Sequence, residues 1–104
     1  MRGYEVLNSP DGEDGLKKAV QEEPDVIVLD LKLPKISGEE VCRSLRWSEK
    51  TKYIPVIMLT AKAEDADRIV GRVIGADLYM TKPFDLDELI KKIIEVLKIK
   101  KINQ

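Results

Sequence analysis

A chain of 104 residues with 43% hydrophobic and 36% charged side chains has the balance of one globular domain. It has neither the composition of a disordered segment nor an apolar run long enough to span a membrane. Eighteen basic against nineteen acidic residues leave a net charge of -1, so no electrostatic footprint for nucleic acid is present. The absence of histidine and the single Cys42 exclude His-dependent nucleophilic catalysis, the usual zinc ligand sets and an internal disulfide.

The N-terminus lacks the apolar stretch of a signal peptide, and a cytoplasmic location is the expectation. Gly3-Tyr4-Glu5-Val6-Leu7 alternates and reads as a strand with one exposed side, at a sheet edge. Asn8-Ser9-Pro10-Asp11-Gly12 is turn chemistry, with Asp11 as N-cap of a helix that carries Leu16, Ala19 and Val20 on one face. Gly15 costs that helix roughly 1 kcal/mol against Ala, and Pro24 ends it. Val26-Ile27-Val28-Leu29 follows, an unbroken apolar run that reads as a strand buried on both faces and ends in Asp30.

After a loop, Ser37-Gly38-Glu39-Glu40 forms a capping box that starts a helix burying Val41, Cys42 and Leu45. Trp47, near the end of this helix, reads as a packing residue. Pro55-Val56-Ile57-Met58-Leu59 is a second apolar strand, and it ends in Thr60. A third helix carries Ala66, Ile69, Val70, Val73 and Ile74, with Gly75 as its left-handed cap. Ala76-Asp77-Leu78-Tyr79-Met80 is a short strand before Thr81-Lys82-Pro83-Phe84, where the X-Pro bond can be cis. Asp85 caps the last helix, Phe84 is placed to staple onto Leu89, and Leu86, Leu89, Ile90, Ile93, Ile94 and Leu97 form its apolar stripe.

Four strand-helix units in succession predict an α/β domain with a parallel sheet and helices on both faces. Parallel strands then bring Asp30, Thr60 and Lys82 to one sheet edge, at the carboxyl ends where such folds bind ligands. A carboxylate, a hydroxyl and an ammonium suit the holding of a phosphoryl group on the carboxylate. Each also has a plain reading alone: Asp30 as a turn starter, Thr60 as a strand terminator, Lys82 as a surface charge and Tyr79 as a strand aromatic.

Together they resemble the receiver domain of two-component response regulators. The matching segments are Pro24-Asp25-Val26-Ile27-Val28-Leu29-Asp30-Leu31-Lys32-Leu33-Pro34, Ser37-Gly38, Pro55-Val56-Ile57-Met58-Leu59-Thr60-Ala61, Gly75-Ala76-Asp77 and Tyr79-Met80-Thr81-Lys82-Pro83-Phe84. The resemblance implies a flavodoxin-like fold over one domain, residues 1–104. It further implies Asp30 as phosphoacceptor, Lys82 on the phosphoryl oxygens, Thr60 as switch hydroxyl and Tyr79 as switch aromatic. The carbonyl of Lys32, with Asp30, would be a ligand to Mg²⁺, and a sensor histidine kinase would be the partner. The resemblance makes the protein a signalling module and not an enzyme.

The match departs at its start. A family member opens with an apolar strand ending in two acids, followed by a helix, whereas this sequence starts at what resembles the second strand. Without that acidic pair, Mg²⁺ binding is expected to be weak or lost and phosphorylation impaired. A missing first strand leaves a gap in the sheet, to be filled either by residues 3–7 or by another chain, so a homodimer is expected, with exchange of elements as one route. The competing functions are a phosphorylation-independent binding or oligomerisation module, and a phosphohydrolase of the haloacid dehalogenase-like kind. The latter needs an acid two residues after the nucleophile, where Lys32 stands.

Overall fold

The computed structural model describes residues 11–32, 35–61 and 75–102. The predicted strand at residues 3–7 and the helix carrying Ala66, Ile69, Val70, Val73 and Ile74 lie outside the described residues. Among these residues six elements follow one another: α1 (Gly12–Glu22), β1 (Ile27–Asp30), α2 (Gly38–Trp47), β2 (Val56–Thr60), β3 (Leu78–Thr81) and α3 (Leu86–Ile102). Among the described residues the sheet has three strands in the order β1-β2-β3, all parallel. No described helix is long and apolar enough to cross a membrane.

The helix starts are where capping chemistry places them. Asp11 Oδ1 accepts the Asp14 N–H at 2.9 Å, Ser37 Oγ accepts that of Glu40 at 3.2 Å, and Asp85 Oδ1 accepts that of Glu88 at 2.8 Å. At the other end of α1, Glu23 turns into the left-handed region at φ 45° and donates its N–H to the Ala19 carbonyl. Pro24 thus follows a helix already closed. Gly75 takes φ 89°, in the left-handed region that favours glycine. The Lys82-Pro83 bond is cis.

Strand alternation then assigns the core to two layers. Leu29, Val56 and Met58 face α1 and α2, where they pack with Ala19, Val41, Cys42 and Leu45. Ile57 and Met80 face the opposite way, onto Ile93 and Val96 of α3, with Phe84 and Leu89 packed beside them as the staple predicts. Helices therefore cover both faces, and β2 is buried throughout its first three residues. The strand predicted from Ala76 begins two residues later, because Asp77 spends its side chain on other partners.

Three readings of the sequence are corrected. Val28 is 37% exposed, so β1 is not buried on both faces: Val28 faces the α3 side, and α3 packs over β2 and β3. Trp47 does not pack but stands 87% exposed, two residues past Leu45 and so about 200° around the helix from it. In α3 the buried line runs through Leu89, Ile93, Val96 and Leu97, while Leu86 and Ile94 face solvent. Val96 belongs to that line because it follows Ile93 by three and Leu89 by seven residues.

These placements give opposite expectations for two large residues two positions apart. Leu45→Ala should lower unfolding free energy by about 2–5 kcal/mol, and Trp47→Ala should change it by no more than about 0.5 kcal/mol, both read by urea denaturation. The Asp11 cap adds a pH signature. The backbone N–H of Asp14, with a smaller contribution from Lys35, holds its carboxyl below the ordinary value of 3.8. The ionised cap is then better accommodated in the folded chain, and its contribution is full above 3.8 and lost as pH falls through the lowered folded value. Acid titration of stability should accordingly be shallower in Asp11→Asn than in the parent chain.

Candidate functional site

β1 delivers Asp30 to the carboxyl edge of the sheet, and the chain immediately folds back on it. Leu31 donates its N–H to the Leu59 carbonyl at 2.8 Å, continuing the β1–β2 ladder past the strand end. Lys32 donates its N–H to Asp30 Oδ1 at 3.1 Å, which fixes one carboxylate oxygen in a tight turn. The N-terminus of α2 closes from behind, where Gly38 donates its N–H to the Leu31 carbonyl at 3.0 Å. A Cβ on Gly38 would lie 2.1 Å from the Asp30 carbonyl oxygen, so this position admits no side chain.

β3 brings the counter-charge. Lys82 Nζ donates to Asp30 Oδ2 at 2.5 Å, and the Lys82 backbone N–H donates to the Thr60 carbonyl at 2.8 Å. One residue therefore ties all three strand ends together: its side chain reaches β1 and its main chain holds β2. The pair is open to water, with the lysine side chain 41% and the aspartate 31% exposed. An exposed pair of this kind is worth only about 0–1 kcal/mol, so an incoming anion can displace it at little cost.

Thr60 lies beside them but is only 3% exposed. Tyr79 is opposite Met58, on the sheet face that Thr60 shares, and packs half-buried against the α1–α2 layer. The structure thus brings Lys82 onto Asp30 by its side chain and onto Thr60 by its main chain, and places Tyr79 three residues before Lys82. The other nucleophile, Cys42, is fully buried, and that burial pushes its thiol above the ordinary value and keeps it inert.

Among the described residues no group of three or more Asp, Glu or Cys gathers where a metal could sit. Among the described residues Asp30 is the one carboxylate recorded at this site, and Lys82 and the Lys32 N–H engage both of its oxygens. The described side chains by themselves therefore do not make up a divalent-cation site.

Two residues with structural weight carry no role in the sequence reading: Arg46 and Asp77, ion-paired at 2.8 Å across 31 positions. The segment Gly75-Ala76-Asp77 was a visible signal. Its partner, an arginine in the last turn of an amphipathic helix, looked like an ordinary surface charge.

Residues 1–94 match the response regulator receiver domain family. The chain is 48% identical over 96 residues to the alkaline phosphatase synthesis transcriptional regulatory protein PhoP of Bacillus subtilis, covering 92% of this chain and 39% of that protein. It therefore spans about two fifths of the length of that curated relative. Among solved structures it is similar to a putative response regulator of Chloroflexus aurantiacus, with a TM-score of 0.83, 35% identity, and coverage of 92% of this chain and 79% of the other. The receiver domain of a sensor histidine kinase of Pseudomonas aeruginosa, solved with a magnesium ion coordinated in its active-site cleft, gives a TM-score of 0.81 at 31% identity, over 92% and 79% of the two chains.

The contact of Gly38 with the Asp30 carbonyl generates a direct test. Gly38→Ala should lower stability by about 1–3 kcal/mol in urea denaturation, because backbone and not a flexible side chain must yield. The amide resonance of Lys32 should shift with it, as the turn on Asp30 is displaced.

Proposed function

The chain belongs to the response regulator receiver family, and on that premise we propose that it accepts a phosphoryl group on Asp30, slowly and with little dependence on Mg²⁺. Receiver domains are non-enzymatic modules of two-component signal transduction that interact with histidine kinases and bind Mg²⁺ at the active site. The observation that carries the proposal is the contact of Lys82 Nζ with Asp30 Oδ2 at 2.5 Å in a solvent-open pair. Transfer would form a bond from an Asp30 carboxylate oxygen to phosphorus while the bond to the donor's leaving group breaks, the electron pair departing with that group. Lys82 would move from the carboxylate to the phosphoryl oxygens, so that its charge stays paired throughout.

Thr60, once its hydroxyl turns toward the phosphoryl group, would leave space on its own sheet face for Tyr79. The carbonyl of Lys32 and the free lone pairs of Asp30 are the protein's candidates for Mg²⁺. One carboxylate with both oxygens already engaged supports weak binding, and no step above depends on the ion. The proposed partners are a sensor histidine kinase and a second copy of the chain. Self-association is favoured by the exposure of Val28 on the sheet and of Leu86 and Ile94 on α3.

A second reading, a binding module that has lost the phosphorylation cycle, draws support from the same single-carboxylate site. Incubation with acetyl phosphate, followed by intact mass, separates the readings. Slow addition of one phosphoryl group, little changed by Mg²⁺ and absent in Asp30→Asn, is the expected result. Rapid stoichiometric addition with Mg²⁺ would overturn the impairment, and no addition over hours would favour the binding module.

A further inference from the structure

The sheet end opposite Asp30 carries a second constellation, which the phosphoacceptor chemistry does not use. Arg46, in the last turn of α2, reaches two segments, 52–54 and 75–77, with one guanidinium. Its Nε donates to the Gly75 carbonyl at 3.0 Å. One Nη donates to the carbonyls of Lys52 and Ile54 at 3.3 and 2.8 Å, and the other donates to Asp77 Oδ2 at 2.8 Å. Both side chains are mostly buried, so this pair, unlike that of Lys82 and Asp30, is shielded from water.

Asp77 does a second thing with the same oxygen. Oδ2 accepts the N–H of Val56 at 2.8 Å, and the Asp77 N–H donates to the Val56 carbonyl at 2.9 Å. Val56 and Asp77 are therefore closed into a ring in which a carboxylate acts as a β-ladder acceptor. This is the first rung between β2 and β3, and the last is the bond from the Lys82 N–H to the Thr60 carbonyl. Asp77 and Lys82 stand five residues apart, about 17 Å along an extended chain. Where β3 sits along β2 is thus set at one end by Arg46 and Asp77 and read out at the other as the seat of Lys82 on Asp30. A strand cannot adjust this by small increments, because a one-residue slip turns every side chain to the opposite face.

We propose that Arg46 and Asp77 are positioning residues for the Asp30 site, acting through the axial placement of β3 and so through Lys82. The rate readout below rests on Asp30 being a phosphoacceptor, and the exchange readout does not. Asp77→Ala removes the carboxylate rung, whereas Asp77→Asn keeps an amide oxygen for the Val56 N–H. Each is combined with Lys82→Ala, and labelling of Asp30 by acetyl phosphate is followed by intact mass. Asp77→Ala should slow labelling about tenfold with Lys82 present and less than about twofold in the Lys82→Ala background, with Asp77→Asn recovering most of the loss. A merely structural role would make the two effects multiply, and that result overturns the proposal.

The second readout is native-state amide hydrogen exchange. In Asp77→Ala the Lys82 N–H, bonded to Thr60, should exchange about tenfold faster relative to the Leu31 N–H, which bonds Leu59 on the other side of β2 and reports stability alone. Equal acceleration of the two amides overturns the proposal. If the parent chain takes no phosphoryl group, the phosphoacceptor reading fails and the exchange ratio decides the positioning role alone. If Asp77→Ala does not fold, Asp77→Asn and Arg46→Lys carry the same two comparisons, with smaller changes in the same direction.

Discussion

The described structure hangs on β2. Val56, Ile57 and Met58 have no measurable exposure, and they face alternately into the two core layers. The strand's two edges are occupied as well, by β1 on one side and β3 on the other. A strand buried on both faces and paired on both edges has nowhere to move, so its ends are fixed reference points. The Thr60 carbonyl anchors Lys82 from there, and the Leu59 carbonyl anchors Leu31 directly after Asp30. The pair of Lys82 and Asp30 is itself weak and wet, and its geometry is inherited from the burial of the strand between its two members.

This division of labour explains why the two ion pairs differ so much in setting. Arg46 and Asp77 sit at the amino end of the sheet, mostly buried, and every donor direction of the guanidinium that the structure records ends on a carbonyl or the carboxylate. Such a pair is costly to break, because either partner alone would leave a shielded charge. Lys82 and Asp30 sit at the carboxyl end with water around them. Under the proposed function this pair would open to admit a phosphoryl group, and in that setting its opening is cheap. Gly38 completes the design by letting α2 approach the Asp30 backbone closely enough to roof the turn.

Much of this was legible in the chain. Asp30, Thr60 and Lys82 each follow an apolar or half-apolar run, and a parallel sheet must bring such ends to one edge. The capping residues Asp11, Ser37 and Asp85 were readable because their signatures are local, within three residues. The exposure of Val28, the breadth of the α3 stripe and the partner of Arg46 depend on long-range contacts, whereas the exposure of Trp47 follows from helix geometry. Val28 belongs to a run that looks uniformly buried, and its exposure depends on where α3 lies, which no local pattern states. Trp47 was given to the core on chemistry alone, although its angle from Leu45 around the helix already pointed outward. Leu86 and Ile94 widened a stripe that packing narrows to Leu89, Ile93, Val96 and Leu97. The partnership of Arg46 with Asp77 spans 31 residues and becomes visible only when β2 and β3 are paired.

The fold holds the ammonium of Lys82 on the carboxylate of Asp30 with no phosphoryl donor present. Lysine-ammonium NMR tests it most directly, through the scalar coupling that a hydrogen bond transmits from a side-chain nitrogen to a carboxylate carbon. The expected spectrum has one distinct Lys82 ammonium resonance, coupled to the Asp30 carboxylate carbon and merging with the other lysines in Asp30→Asn. A Lys82 ammonium that already averages with the bulk of the lysines in the parent chain, and shows no such coupling, would contradict it.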